Sequence, residues 1–368
     1  MTPPSILITG APGWLGTRLV QMIIEGLSGV DENPFPTDPA AVRCLLLPGL
    51  DDIPIRAISD RIRITRGDLR DPDSLDRFCR GGDGASLFHC AGVVHPRWRA
   101  RTFFDIHVGG VRNLLRAARK AGVRRLIAMS SNSPIGRNPS PDHVFDEDAP
   151  YHPYRGYGRS KMRMEDLLNE AHAAGAIDTT IIRSPWFYGP NQPPRQTTFF
   201  RMIRDGRFPI VGDGQNRRSM AYIDNICQGL LLAAASPAAA GRTYWIADAR
   251  PYTMNEIITT VETALRRDFG IPVARPQPRL PQAVGALARA LDGLIQRIGL
   301  YHQKVHVLSE MNQTIACTID RARRELGYAP RIDLAEGMRR SIDWCLKKGF
   351  LERPRPAAGA VLTRSAAS

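Results

Sequence analysis

The stretch Ile6-Leu7-Ile8-Thr9-Gly10-Ala11-Pro12-Gly13-Trp14-Leu15-Gly16-Thr17-Arg18-Leu19-Val20 constrains what this chain can fold into more than any other. A short apolar run passes through a corner of the form Thr-Gly-x-x-Gly-x-x-Gly and continues as a helical pattern. That order predicts the first strand, tight turn and helix of a dinucleotide-binding fold. Gly10 permits the turn, Gly13 lets backbone approach a pyrophosphate, and Gly16 lets the helix pack close to the strand. The helix N-terminus adds free N–H groups and partial positive charge for the phosphates. A glycine triplet alone is a weak signal; set between a strand and a helix it is a good one.

At 368 residues the chain is long enough for one large α/β unit and a smaller lobe. The first strand lies so near Met1 that no secretory leader is expected, and no apolar stretch is long enough to span a bilayer. Six cysteines (Cys44, Cys79, Cys90, Cys227, Cys317, Cys345) are scattered without metal-ligand spacing. They read as reduced, mostly buried residues of a cytoplasmic enzyme with no metal. The net charge of +14 comes from fifty basic residues of which only five are lysine, which points to an arginine-rich composition. No basic tract is interleaved with aromatics, so nucleic acid is not an expected partner. Phosphate-bearing ligands or an anionic membrane surface remain compatible with the charge.

The chain in order reads as strand alternating with helix. Strands are expected at 5–9, 42–47, 62–65, 86–92, 125–129 and 179–183, and helices at 14–26 and 103–121. Residues 27–40, with three prolines, read as a long loop. The spacing implies a parallel sheet with right-handed crossovers, an α/β doubly wound fold. An acidic residue ending the second strand would hold an adenosine ribose, and an arginine would suit a 2′-phosphate. Leu47-Pro48-Gly49 supplies neither; Asp51 or Asp52 remains open for the ribose, and Arg43 or Arg18 for a phosphate. Gly67-Asp68-Leu69 is a turn placed to meet the adenine.

Tyr157-Gly158-Arg159-Ser160-Lys161 opens a helix after the fifth strand, and a spacing of four sets Tyr157 and Lys161 on one face. A phenol with a pKa near 10 is a poor base at neutral pH. A neighbouring ammonium favours the phenolate, so the pair suits proton transfer during a redox step.

Together these features resemble the extended short-chain dehydrogenase/reductases, the NAD-dependent epimerase/dehydratase family. The likeness rests on Thr9 to Gly16, His89-Cys90-Ala91-Gly92, Ser130-Ser131, Tyr157 to Lys161, Arg183 with Tyr188-Gly189-Pro190, and Arg324-Glu325-Leu326-Gly327-Tyr328. It runs from Ile6 to about Trp344. It implies a Rossmann domain over residues 1–180 to which one later strand returns, a substrate lobe over 181–350, and a disordered tail over 351–368. NAD or NADP would rest on Thr9, Gly10, Gly13, Trp14, Leu15, Gly16, Asp68, Leu69, Ala91, Gly92, Lys161 and Pro185. Tyr157 matches the acid/base, Lys161 the ribose-binding residue that lowers the tyrosine pKa, and Ser131 the hydroxyl on the reacting oxygen. Trp186 and Arg218, with Ser131 and Tyr157, are the implied substrate contacts, Arg218 at the position that grips a diphosphate. The family often pairs through helices including that of Tyr157, so a homodimer is compatible.

Two departures and one further likeness bear on function. His107-Val108-Gly109-Gly110-Val111 stands where the family carries Asn-Val-x-Gly-Thr, and His107 reads most simply as a core histidine. Ser131-Asn132-Ser133 replaces a Thr-Asp-Glu of the dehydratases, which removes the acid and base that water elimination needs. Leu280 to Leu300 resembles an insert of the 3β-hydroxysteroid dehydrogenase-like branch, where such a segment borders an apolar pocket or touches a membrane peripherally. A core helix is the commoner reading of that pattern. The implied activity is hydride transfer at a secondary alcohol or ketone, foremost of a nucleotide sugar. A sterol-like hydroxy compound is the alternative, supported by Trp186, Asn225 and the Leu280–Leu300 segment, and a non-catalytic NAD(P) sensor is a third.

Overall fold

The computed structural model describes residues 6–26, 35, 38–96 and 99–352. The expected tail after Glu352 and most of the 27–40 loop lie outside them. Seven parallel strands make the central sheet: β1 (Ile6–Thr9), β2 (Val42–Leu46), β3 (Arg63–Arg66), β4 (Ser86–His89), β5 (Arg125–Met129), β6 (Asp178–Arg183) and β11 (Thr243–Trp245). Their spatial order is β11-β6-β5-β4-β1-β2-β3. The order reverses between β1 and β4, and in such sheets the crevice beyond the carboxyl ends at that point receives the ligand.

Side-chain alternation explains why the strands read as continuous apolar runs. Ile6 and Ile8 join the core on one face and Leu7 that on the other, each no more than 1% exposed. A sheet buried on both faces needs apolar residues at every position. Helices α1 (Trp14–Glu25) and α8 (Ile223–Ala235) pack on the first face. On the second lie α3 (Pro72–Cys79), α5 (Val111–Lys120) and α6 (Arg155–Ala173). The short α2 (Ile53–Arg56) follows β2.

The helix expected over 103–121 is not continuous. α4 (Arg101–Phe104) passes through a π-helical turn, Asp105–Gly110, before α5 begins. Such turns insert a residue into the helix and often sit at functional sites. This one buries His107.

The remaining elements lie outside the seven-stranded sheet. β7 (Trp186–Tyr188) pairs with β10 (Met220–Tyr222), β8 (Ile210–Val211) with β13 (Arg279–Leu280), and β9 (Arg217–Arg218) with β12 (Tyr252–Thr253). α7 (Pro194–Arg204), α9 (Met254–Thr263), α12 (Asp320–Leu326) and α13 (Leu334–Lys347) surround them, and α10 (Gln282–Arg297) and α11 (Gln303–Glu310) form a hairpin. Gly327, in the left-handed region, ends α12 as the sequence pattern requires. All six cysteines are free, and all but Cys90 are buried.

Candidate active site

The glycine corner lies at the carboxyl end of β1. Gly10 has φ +92°, and a Cβ there would stand 2.5 Å from the Cys90 carbonyl carbon. Cβ atoms at Gly13 and Gly16 would come within 2.6 and 2.5 Å of the Gly10 carbonyl oxygen. α1 starts from Gly13 with no side-chain cap, so among the described residues no side-chain oxygen takes the first-turn N–H groups of Trp14, Leu15 and Gly16. A bare helix N-terminus behind a side-chain-free corner fits a pyrophosphate. The Trp14 indole is turned away and donates to the Pro190 carbonyl at 2.6 Å. Thr9 is fully buried; its hydroxyl joins His89 Nδ1 at 2.8 Å and accepts from the Ala91 N–H, so it ties the ends of β1 and β4 together.

Farther along the same edge, Asp68 pairs with Arg70 at 2.6 Å, and that hydrogen bond holds its carboxyl below the usual range. Leu69 is buried against Gly110. Pro185 is buried just beyond β6. The readings left open for the ribose and its phosphate narrow here. Arg43 sits at the opposite, amino edge of the sheet, where it donates to the Arg80 and Gly81 carbonyls, and so cannot meet a ligand at the carboxyl edge. Arg18 is taken by a two-point ion pair with Asp224, at 2.6 and 2.9 Å. Asp51 accepts from the Ile53 N–H, whereas Asp52 pairs with Arg66 at 3.2 Å. Arg66, at the carboxyl end of β3 opposite Leu46, was not singled out in the sequence.

α6 carries Tyr157 and Lys161 one turn apart. Lys161 is nearly inaccessible and its ammonium donates to the Met129 carbonyl at 2.9 Å. Burial pulls its pKa down to about 8, with the Glu165 charge opposing. A Cβ on Gly92 would touch both Lys161 Nζ, at 3.7 Å, and His107 Nε2, at 3.2 Å. The Tyr157 ring meets Phe103 and His107 edge-on, with centroids 5.4 and 5.6 Å away.

His107 is more than a packed core residue. Its Nε2 accepts the Val93 N–H at 3.1 Å, which assigns the ring proton to Nδ1, 2.9 Å from Ser160 Oγ. Ser160 in turn donates to the Tyr157 carbonyl at 2.7 Å. Burial, with the Lys161 charge beside it, keeps the imidazole pKa well below its ordinary value, so it stays neutral. The chain Val93–His107–Ser160–Tyr157 thereby fixes the start of α6 against the strand-4 edge.

The two serines after β5 differ in availability. Ser130 is buried and donates to Glu165, which also binds Arg183 and the Tyr151 hydroxyl at 2.7 and 2.8 Å. Ser131 is half-buried, and its contacts to Asn132 and Ser133 are 3.3–3.4 Å, weak enough to exchange for a ligand. Trp186 and Arg218 come together, the guanidinium 5.7 Å from the indole centroid and donating to the Glu310 carbonyl at 3.3 Å.

What the sequence did not single out is a cavity of about 410 Å³ beside these groups. It runs from Asn132 and Ser133 along the start of α6 to the α10–α11 hairpin, and it holds Arg137, Arg155, Arg159 and Arg289. None of the four has a carboxylate within ion-pairing distance among the described residues; Arg137 and Arg289 bond the amides of Gln313 and Asn312. Arg155 Nε is buried without a hydrogen-bond partner there. The cavity's carboxylate, Glu310, faces His306 at 3.9 Å. Uncompensated guanidinium groups in a cleft suit a phosphate-bearing ligand. Arg155 and Arg159 stand on either side of Tyr157 in the sequence, whereas Arg137 lies 18 residues before Arg155 and Arg289 lies 134 after it.

Comparison with known proteins bears on the chemistry. An uncharacterized protein of Sinorhizobium fredii, y4nL, is 52% identical over 351 residues, which cover 95% of this chain and 97% of that one. The N-acetyl-alpha-D-glucosaminyl-diphospho-ditrans,octacis-undecaprenol 4-epimerase of Escherichia coli O157:H7 is 28% identical over 300 residues, 80% of each chain. Among solved structures, DesIV (dTDP-glucose 4,6-dehydratase) from Streptomyces venezuelae, with NAD and TYD bound, is 25% identical with a TM-score of 0.72. That match covers 95% of this chain and 99% of DesIV. Residues 6–247 match the NAD dependent epimerase/dehydratase family. The chain therefore belongs to that family, an NAD(P)-dependent enzyme of the extended short-chain dehydrogenase/reductase type.

Proposed function

We propose that this enzyme epimerises a secondary alcohol of a sugar carried on a diphosphate. The observation that carries the reading is the unpaired arginine cavity flanking the Ser131–Tyr157–Lys161 group. When bound, the dinucleotide supplies the hydride acceptor and donor. Tyr157 takes the proton from the reacting hydroxyl and returns it. Ser131 hydrogen-bonds that oxygen, while Lys161 holds ribose and favours the phenolate. Arg137, Arg155, Arg159 and Arg289 grip the diphosphate, and Arg218 beside Trp186 closes the neighbouring wall. In this reading Thr9, Gly10, Gly13, Trp14, Leu15, Gly16, Asp68, Leu69, Ala91, Gly92 and Pro185 bind the cofactor.

Epimerisation is favoured over dehydration because Ser131-Asn132-Ser133 brings no carboxylate to serve as the acid or base of water elimination. DesIV acts on a nucleotide-linked sugar and the Escherichia coli relative on a diphospho-undecaprenol, so a diphosphate handle is common to both names. The test is a sugar diphosphate deuterated at the reacting carbon. The label should be retained in the epimer with no net change in nicotinamide absorbance. Loss of label to water, or unchanged turnover by Tyr157→Phe, would remove the mechanism.

A further inference from the structure

α10 turns the unexpected side outward. Gly285, Ala288, Asp292 and Gly293 are buried, whereas Leu287, Leu291, Leu294 and Ile298 are 72%, 46%, 59% and 67% exposed. The core-helix reading of this segment is thus overturned: its small residues face the protein and its leucines face out. Steps of four, three and four residues align the leucines and Ile298 on one stripe. A contiguous apolar face of this kind marks a docking surface, unlike leucines scattered singly.

The exposed charge of the stripe's own segment has one sign. From Gln282 to Lys304 the single carboxylate is Asp292, and it is fully buried; Arg289, Arg297 and Lys304 are the cations of the same stretch. Arg99 pairs through its backbone with Leu300 at the end of the stripe, and Arg101, shared with Asp105 at 3.7 Å, lies next to it. The arginine cavity reaches the same helix through Arg289 and Ala290.

We infer that α10 lies on an anionic lipid bilayer, with its apolar stripe in the headgroup boundary and Arg297 and Lys304 among the lipid phosphates. The sugar diphosphate then enters the arginine cavity from a lipid anchor in that bilayer. An apolar helix face fringed by arginine and lysine matches this boundary in both polarity and charge. No helix among the described residues is long and apolar enough to cross a membrane, so the contact is peripheral. The lipid cargo rests on the sugar-diphosphate reading above; the docking itself does not.

Co-sedimentation of the full chain with phosphatidylglycerol/phosphatidylcholine vesicles reads the docking directly. Binding should be weakened by salt, be slight on pure phosphatidylcholine, and fall at least about tenfold for Leu287→Gln/Leu294→Gln. Both leucines are exposed, so the variant should melt with the wild type. Failure of the wild type to sediment, or unchanged sedimentation of the double variant, overturns the docking. A wild-type dimer in solution that the double variant dissociates does the same, since a second copy would then cover the stripe. Turnover separates the carriers: a polyprenyl-diphospho-N-acetylhexosamine in the vesicles should be converted, and more slowly by the double variant. Turnover of uridine-diphosphate sugars alone overturns the lipid carrier and leaves the hydride chemistry standing. Turnover of neither, with docking intact, overturns the lipid cargo together with the active-site reading.

Discussion

In the proposed reading the glycine corner and the arginine cavity serve two ends of one site, and they are built in opposite ways. The corner is backbone: seven residues from Gly10 to Gly16, each glycine held by a clash that a Cβ would create. The cavity is side chain, with guanidinium groups gathered from Arg137, Arg155, Arg159 and Arg289. A backbone device must be contiguous, so it leaves a spaced motif. A side-chain device needs only that the fold bring its members together, and it leaves none. The first is also intolerant of change, whereas in the second each arginine bears part of the load.

That contrast can be broken at several points. Tyr157→Phe stands between the two halves and should lower turnover about a thousandfold while dinucleotide affinity, read by fluorescence titration, stays near wild type. Gly10→Ala should fail on the corner side alone. Its forced left-handed φ costs about 1–3 kcal/mol of stability, and dinucleotide binding is lost with the displaced Cys90–Ala91 backbone. On the cavity side, Arg159→Gln/Arg289→Gln should raise KM for a sugar diphosphate up to about a hundredfold, with each single change costing about tenfold. Dinucleotide affinity should not move. An equal loss of dinucleotide binding in that double variant would show that the two halves are not separable.

Smaller effects sharpen the boundary. His107→Leu leaves the Val93 N–H and the Ser160 hydroxyl without their buried partner, and kcat should fall about tenfold with KM little changed. His107→Asn, which keeps a donor and an acceptor, should recover part of it. The smallest effect is that of pH. With Lys161 titrating near 8, turnover should fall roughly fourfold from pH 7 to 8.5 as the ammonium is lost. The sign for stability is the reverse. The native lysine pKa lies below the ordinary 10.5, so between about 8 and 10.5 the unfolded chain binds more protons. Wild type should therefore gain stability relative to Lys161→Met as pH rises through that window, which paired denaturant titrations would read.

The sheet and its order of elements were legible because parallel strands buried on both faces announce themselves as apolar runs. The glycine corner and the Tyr157–Lys161 spacing were legible for the same local reason. Other features depended on contacts far along the chain. Arg43 looked available for a phosphate until the strand direction placed it at the amino edge. Ser131 was named on the family likeness alone, because the contact that occupies Ser130, to Glu165, lies 35 residues away. His107 passed for a core residue because nothing near it in sequence reveals Val93 or Ser160. The 280–300 segment had the right period but an undetermined phase: periodicity says that one face differs from the other, not which one turns inward.

α10 is fastened to the start of α6 at three levels. The Gly156 N–H donates to Gln296 Oε1, the Tyr154 hydroxyl reaches Asp292 at 3.1 Å, and Arg155 donates to the Arg289 carbonyl across the gap that Gly293 leaves open. These anchors span about two helical turns with the leucines interleaved between them. Inserting one residue would rotate everything beyond it by about 100° and exchange anchors for leucines. The length of this segment is consequently far less free to drift than the identity of its outward side chains, and natural variants should trade one aliphatic for another there while leaving the residue count untouched.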